Sequence, residues 1–457
     1  MALHEFKCPN CGGPIQFNPG TRETICPFCE SVMDVDALSA LDEAMATNQE
    51  PEPINWGYNG NEWGAGEQQG MVVYSCQSCS GEIAGDESLG AATCPFCGSP
   101  VVMTSRFSGT LRPDVMIPFK LGKDEATNSL QKHYRGKKLL PKVFKDQNHM
   151  QEIKGVYVPF WLFDAETDAR IEYEATKDRK WSDNDYNYVE TSTFRAFREG
   201  GLGFQYVPVD GSKAMDDTLM ESIEPFSMND AVEFKTAYLA GYFANKYDVG
   251  SDEAVGRANE RIKNSTEDEF KKTVTGYDKV TATNTNIRLK KGAVNYALFP
   301  VWLLSTIWQG QNFTFAMNGQ TGKFVGDLPL DKAAAKSLFW KVSAIAAVVL
   351  LAITQIALFS SDQATSHVPS IIISILAALL AGLMVTAVYK SQLKSVIRQN
   401  LASKYIRDGS MTITGKRDIF LYRKVEKTPR PKSNNTGSNS NNTSGNSGSG
   451  SGAPGRR

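Results

Sequence analysis

The sequence has no cysteine outside a Cys-x-x-Cys pair, only 4 histidines, and almost no basic side chain in its first 105 residues. Each shortage excludes something. The histidines (His4, His133, His149 and His367) are scattered and form no H-E-x-x-H metalloprotease motif; a G-x-x-x-x-G-K-[ST] phosphate loop and a G-x-S-x-G nucleophile elbow are also missing. Gly200-Gly201-Leu202-Gly203 misses the dinucleotide spacing and reads as a hairpin turn. With no catalytic constellation, the chain is expected not to be an enzyme. Met1 to Phe6 carries a His and a Glu rather than an apolar leader, so no signal peptide is expected. The thiols are then expected in a reducing cytosol, where Cys-x-x-Cys pairs bind metal rather than each other.

The formal net charge of −1 conceals a gradient. Met1 to Ser105 holds 2 basic residues, Lys7 and Arg22, against 14 acidic ones; 106–389 is balanced at 33 against 33; from Lys390 onward 14 basic residues face 3 acidic. Nucleic-acid binding relies on Lys and Arg to neutralise phosphates. The acidic N-terminal region is therefore a poor match for a polyanion and a better one for a basic protein surface.

What is present is a repeat. Cys8-Pro-Asn-Cys11 with Cys26-Pro-Phe-Cys29, and Cys76-Gln-Ser-Cys79 with Cys94-Pro-Phe-Cys97, both leave 14 residues between their pairs, and the second set is the first shifted by 68. Gly13, Ile15, Pro27 and Phe28 recur as Gly81, Ile83, Pro95 and Phe96. Two thiolates two residues apart converge from one tight turn, and two such turns close a tetrahedron around Zn²⁺. Two structural zinc ions are expected; rubredoxin-like iron and a redox dithiol are the alternatives. Units this small bury little apolar surface, so the metal supplies much of their folding free energy. Each tetrathiolate zinc centre adds a formal charge of about −2 to the acidic head.

Val342–Ser361 and Val368–Tyr389 carry no charge, and each has the roughly 20 residues that cross a bilayer core. A short polar loop joins them, which predicts an antiparallel transmembrane hairpin; a buried soluble helix pair is the competing account. Lys332, Lys336 and Lys341 precede the first run, Lys390, Lys394 and Arg398 follow the second, and the loop has no Lys or Arg. The positive-inside rule then places both termini in the cytoplasm, with the chain in the inner (plasma) membrane as a multi-pass protein. Lys390–Arg407 has helical spacing with interleaved basic residues, which either pack as solvated structure or contact anionic lipid headgroups.

Between these regions the expected class is α+β with a mainly antiparallel sheet. Strands are predicted at 156–163, 186–197, 203–209, 284–289 and 313–317, with a turn at Asn318-Gly319 before 322–325. Helices are predicted at 124–134, 231–245 and 252–263. A faint second repeat, Val158-Pro-Phe-Trp-Leu162 and Phe299-Pro-Val-Trp-Leu303, points to two related halves. The division is ribbon one at 1–36, an acidic linker at 37–70 (a short helix at 37–46, then flexible chain) and ribbon two at 71–105. An α+β cytoplasmic domain at 106–331 follows, then transmembrane helices at 338–361 and 368–389, a basic juxtamembrane segment at 390–432 and a disordered tail at 433–457.

The doubled C-x-x-C…C-P-F-C motif, Val158–Leu162, Ala237-Tyr-Leu-Ala-Gly241, Tyr247-Asp-Val249, Phe420-Leu-Tyr-Arg423 and Thr428-Pro-Arg430 together resemble the YdjG-type bacterial membrane proteins with TFIIB-type zinc ribbons. The likeness runs from Cys8 to about Arg430. It implies a membrane platform working with flotillin-like and phage-shock-type envelope proteins. The leading expectation is a non-enzymatic membrane-anchored adaptor or scaffold that binds a protein partner. A membrane-tethered nucleic-acid-binding or transcription-related protein is the alternative, and a thiol sensor that releases zinc on oxidation is a third. No small-molecule substrate is indicated.

Overall fold

The computed structural model describes residues 7–34 apart from 9 and 19–22, residues 56–86 apart from 57 and 59, and then 93–106, 111–145, 152–360 and 367–430. The helix expected at 37–46 and the tail from 433 lie outside these residues. Ribbon one is a separate three-stranded antiparallel sheet of β1 (Gln16–Asn18), β2 (Glu23–Ile25) and β3 (Val32–Asp34). All other strands belong to one 12-stranded, mainly antiparallel sheet. Ribbon two contributes β4 (Met71–Cys76), β5 (Glu82–Asp86) and β6 (Val101–Arg106). Then come β7 (Val115–Met116), β8 (Lys154–Ser182), β9 (Tyr186–Asp210), β10 (Val232–Glu233) and β11 (Phe243–Asn245). The last are β12 (Lys279–Trp308), β13 (Gln311–Asn318), β14 (Phe324–Val325) and β15 (Thr412–Pro429).

Three strands of 29, 25 and 30 residues (β8, β9 and β12) form the spine. On β8, buried Ile171, Tyr173 and Ala175 alternate with partly exposed Arg170 and Glu174, the period-2 pattern that puts one face on a core. That face is covered by helix α3 (Ser251–Lys272), whose Ala254, Ala258, Ile262 and Phe270 recur at helical spacing and are buried against it.

The two motifs of the faint repeat lie in similar runs of elements. In the first half β7 leads through helix α1 (Lys123–Tyr134) into the β8–β9 hairpin; in the second, β11 leads through α3 into β12–β13. The helices open on Lys123-Asp-Glu-Ala126 and Ser251-Asp-Glu-Ala254. Val158 pairs with Phe299 in antiparallel register, so the two Pro-containing motifs meet about a local two-fold. The halves interlock as well. Val115 and Met116 pair in parallel with Ala297 and Leu298 of β12, while Phe243 and Ala244 pair in parallel with Val156 and Tyr157 of β8. Each leading strand extends the other half's long strand.

Several expectations are corrected here. Residues 231–245 are not a helix: they hold β10, a 3-10 turn at Thr236–Leu239 and β11, because Phe243 and Ala244 are needed as sheet partners and become buried. The Gly200–Gly203 run is not a turn but the middle of β9, where a Cβ on Gly200 would collide with the Thr412 carbonyl of the neighbouring strand. The linker does not run free over its second half. Trp56 meets Phe163, Tyr58 meets Trp161, and Trp63 meets Phe234, all edge to face. Tyr58 also donates to Asp114 at 2.9 Å.

Two helices, α4 (Lys332–Ser360) and α5 (His367–Ser391), are long and apolar enough to cross a membrane and pack against each other. The helix expected over 390–407 is absent, since α5 stops at Ser391 and only a 3-10 turn at Ser403–Tyr405 follows. The segment instead runs as a strap over α2 (Asp217–Ser222) and α3. Ile397 N–H donates to Ser222 Oγ, Gln399 N–H to Glu221 and Ala402 N–H to Ser265 Oγ, with Leu393, Ala402 and Tyr405 buried. Buried ion pairs fix its bed: Arg257–Glu221 and Arg261–Glu224, both at 2.6 Å. β15 then pairs with β9 from Gly201 to Tyr186. The basic segment thus completes the domain begun before the two apolar helices.

Candidate metal centres

Each centre is built from two identical turns. Cys8 N–H donates to Gly13 O and Gly12 N–H to Cys8 O; the same two bonds recur at Cys26 with Ser31 and Glu30, at Cys76 with Gly81 and Ser80, and at Cys94 with Ser99 and Gly98. The residue after each pair lies in the left-handed region: Gly12 at φ 71°, Glu30 at 57°, Ser80 at 58° and Gly98 at 72°. Two glycines take this conformation without cost, whereas Glu30 and Ser80 hold it against a steric penalty that closure of the site must offset.

The turn aims backbone N–H groups at sulfur. Cys8 accepts from Asn10 and Cys11, Cys76 from Ser78 and Cys79, and Cys94 from Phe96 and Cys97. The eight cysteines expected as ligands converge in two groups of four, with all four Sγ atoms within 4.8 Å of one another in each. Cys8 and Cys29 are 3.6 Å apart, Cys11 and Cys26 3.4 Å, Cys76 and Cys97 3.5 Å, and Cys79 and Cys94 3.7 Å. A tetrahedron with Zn–S of ~2.3 Å has edges of about 3.8 Å. The sulfurs are free cysteines rather than disulfides.

Burial pushes the Cys8 thiol up to about 12 and Cys79 up to about 11, and raises Cys94 as well; the Ser31 hydroxyl draws Cys29 down to about 6. Thiolates crowded and buried in this way need a cation, and the two four-cysteine sets fit two structural zinc ions. Four thiolates fill the coordination sphere, so zinc here supplies folding energy and leaves no position for substrate.

The two centres sit in different surroundings. Phe96 of ribbon two is buried under the β12–β13 hairpin, where Ser305 Oγ and Asn312 Nδ2 (3.2 Å) donate to its carbonyl oxygen. Phe28, its counterpart in ribbon one, is 70 % exposed, with Ile25 and Val32 partly exposed beside it. Ribbon one touches the rest of the chain through β15, where Tyr422 Oη donates to Asn10 Oδ1 at 3.0 Å and packs beside Cys8, Cys26 and Met33.

A family model described as TFIIB zinc-binding matches residues 6–46, which is ribbon one. The protein YdjG of Bacillus subtilis (strain 168) is 33 % identical over 353 residues, 77 % of this chain and 97 % of that protein. The chain belongs to the YdjG-type zinc-ribbon family. No solved structure matches it. The match to YdjG spans more residues than the ribbons can supply, so the likeness reaches into the interlocked sheet.

The docking of Trp56, Tyr58 and Trp63, and the pairing of β15 with β9, escaped sequence reasoning. The one available signal for the first was three aromatics within eight residues of an otherwise acidic, glycine-rich stretch.

Proposed function

We propose that this YdjG-type protein is a non-enzymatic, membrane-anchored adaptor that presents ribbon one to a protein partner on the cytoplasmic side. The observation that carries the reading is the contrast between duplicated ribbons: one is locked into the sheet, and the other offers its knuckle tip to solvent. Ribbon one docks at Tyr422, which pairs through Thr193 to Thr176 of β8, 20 residues along the strand from Val156 beside the base. At ~3.3 Å per residue that is roughly 65 Å of strand.

The membrane part of the reading is supported by side chains on α4 and α5 that face outward: Val348 of α4 is 70 % exposed and Met384 of α5 66 %, as lipid contact needs and a soluble core would not tolerate. Pairing of β15 with β9 keeps the chain before α4 and the chain after α5 on one side, which supports a two-pass hairpin with both flanks in the same compartment. A cavity of about 420 Å³ between β9, α2 and α3 is lined by Asp210, Glu221, Glu224 and Arg257, and the Arg257–Glu221 and Arg261–Glu224 pairs hold the strap there. Glu221, Glu224 and Arg257 therefore have a structural occupation, which supports a role other than catalysis for them.

The test is purification of the full chain from native membranes, as wild type and as Cys26→Ser, followed by identification of bound proteins. Flotillin-like and phage-shock-type proteins are the first candidates. A partner retained by wild type and lost from Cys26→Ser is the expected outcome. No partner on either, or salt-sensitive binding of DNA or RNA by the full chain, would replace the adaptor reading with the nucleic-acid one.

A further inference from the structure

We propose a second lipid contact, made not by the chain flanking the apolar helices but by the last turns of α1 and the loop that follows it, about 190 residues earlier in the sequence. Ala126 to Lys145 contains no acidic residue and carries Lys132, Arg135, Lys137, Lys138 and Lys142. The fold brings this stretch to the cytoplasmic ends of both apolar helices. Asp331 N–H, at the entrance to α4, donates to Leu139 O at 2.9 Å. Lys137 Nζ donates to the Gln392 carbonyl just past α5, and Lys138 Nζ lies 5.0 Å from the centre of the Tyr389 ring. Leu139 and Leu140 are buried in the same apolar cluster as Leu338, Tyr389 and Leu393. The loop is a collar around the root of the helix pair.

Its outward side has the chemistry of a bilayer surface. Lys132, Arg135, Lys138 and Lys142 are exposed, and Val143 is exposed next to Lys142. Exposed Lys336, Lys341 and Lys390 on the helices extend the positive field. The nearby carboxylates are engaged elsewhere: Asp331 accepts from Ala333 and Ala334 N–H, and Asp327 from Ser395 and Val396 N–H. By contrast, several basic groups beyond the strap face acidic strands, as Arg407 does Glu166 and Arg423 Glu190, and β15 carries them away from the base. A polybasic surface with an apolar edge at the membrane boundary recruits anionic phospholipid headgroups. The collar would thereby set the angle at which the long sheet stands on the membrane.

This rests on the reading that α4 and α5 span a bilayer. The experiment places the full chain in nanodiscs of phosphatidylcholine alone or mixed with phosphatidylglycerol, and measures amide hydrogen exchange over 132–145. Wild type is expected to exchange several-fold more slowly in the anionic discs. A Lys132→Gln/Arg135→Gln/Lys142→Gln variant should lose that difference, each neutralised charge weakening headgroup attraction about fivefold, while Lys132→Arg/Lys142→Arg keeps it. Equal exchange of wild type in both discs overturns the collar, as does equal protection by inorganic phosphate in the neutral discs. Failure to enter either disc would instead overturn the spanning reading.

Discussion

Cys26-Pro-Phe-Cys29 and Cys94-Pro-Phe-Cys97 have the same sequence and the same turn, yet Phe28 is 70 % exposed and Phe96 4 %. The phenylalanines even rest on equivalent glycines, so that a Cβ at Gly13 or Gly81 would press on the ring at 2.8 or 2.9 Å. What differs is the cover. In ribbon two Phe96 is buried in the apolar cluster of the main sheet, its carbonyl is met by the β12–β13 hairpin, and the ribbon's strands are members of that sheet. Ribbon one has the same four-cysteine knuckles without such a cover. A motif thus fixes local geometry, while strand pairing outside it decides whether the motif is core or surface.

The largest test of this comparison is loss of a ligand. Cys94→Ser should remove one zinc and unfold the base of the sheet, because β4, β5 and β6 lose their anchor. Cys26→Ser should remove one zinc and leave the sheet's melting transition in place. Metal analysis with thermal unfolding reads both, and equal destabilisation would erase the distinction. Next is the ring itself. Phe96→Ala should cost about 3–5 kcal/mol, as removal of a buried aromatic does, and Phe28→Ala well under about 1 kcal/mol by denaturant unfolding.

Chelation kinetics sharpen the contrast further. Cys11 is exposed, whereas the most accessible thiols of ribbon two, Cys79 and Cys97, are partly covered. A chromogenic chelator should withdraw zinc in two phases, the faster one missing from Cys11→Ser. A single phase would mean that the cover over ribbon two does not slow access. The smallest effect belongs to the tether. Tyr422→Phe removes the hydrogen bond to Asn10, worth about 1 kcal/mol, and should speed hydrogen exchange in ribbon one alone.

Much of this was legible in the sequence because spacing is a local property. The Cys-x-x-Cys pairs and the two apolar runs need only near neighbours to be read, and the shift of 68 needs only the chain compared with itself. The helix starts at 124 and 252 were equally plain, since Asp-Glu in a first turn favours the positive end of the helix dipole. Long-range pairing was not legible. Leu393, Val396, Ile397 and Leu401 fit a helical stripe, but an extended strap met by Ser222, Glu221 and Ser265 satisfies the same residues with its backbone bonded. Gly200 to Gly203 looked like a turn because glycine marks both bends and close strand contacts, and only the position of Thr412 distinguishes them.

The order of synthesis follows from where β15 lies. A ribosome delivers β9 long before it makes residues 412–429, and the whole α4–α5 pair must emerge in between. Until that pair has been made and its exit reached, β9 is left with a bare edge and α3 without its strap. Completion of the sheet domain therefore waits for the chain beyond the apolar pair, and a molecule arrested before residue 412 carries an open strand edge that quality control can recognise.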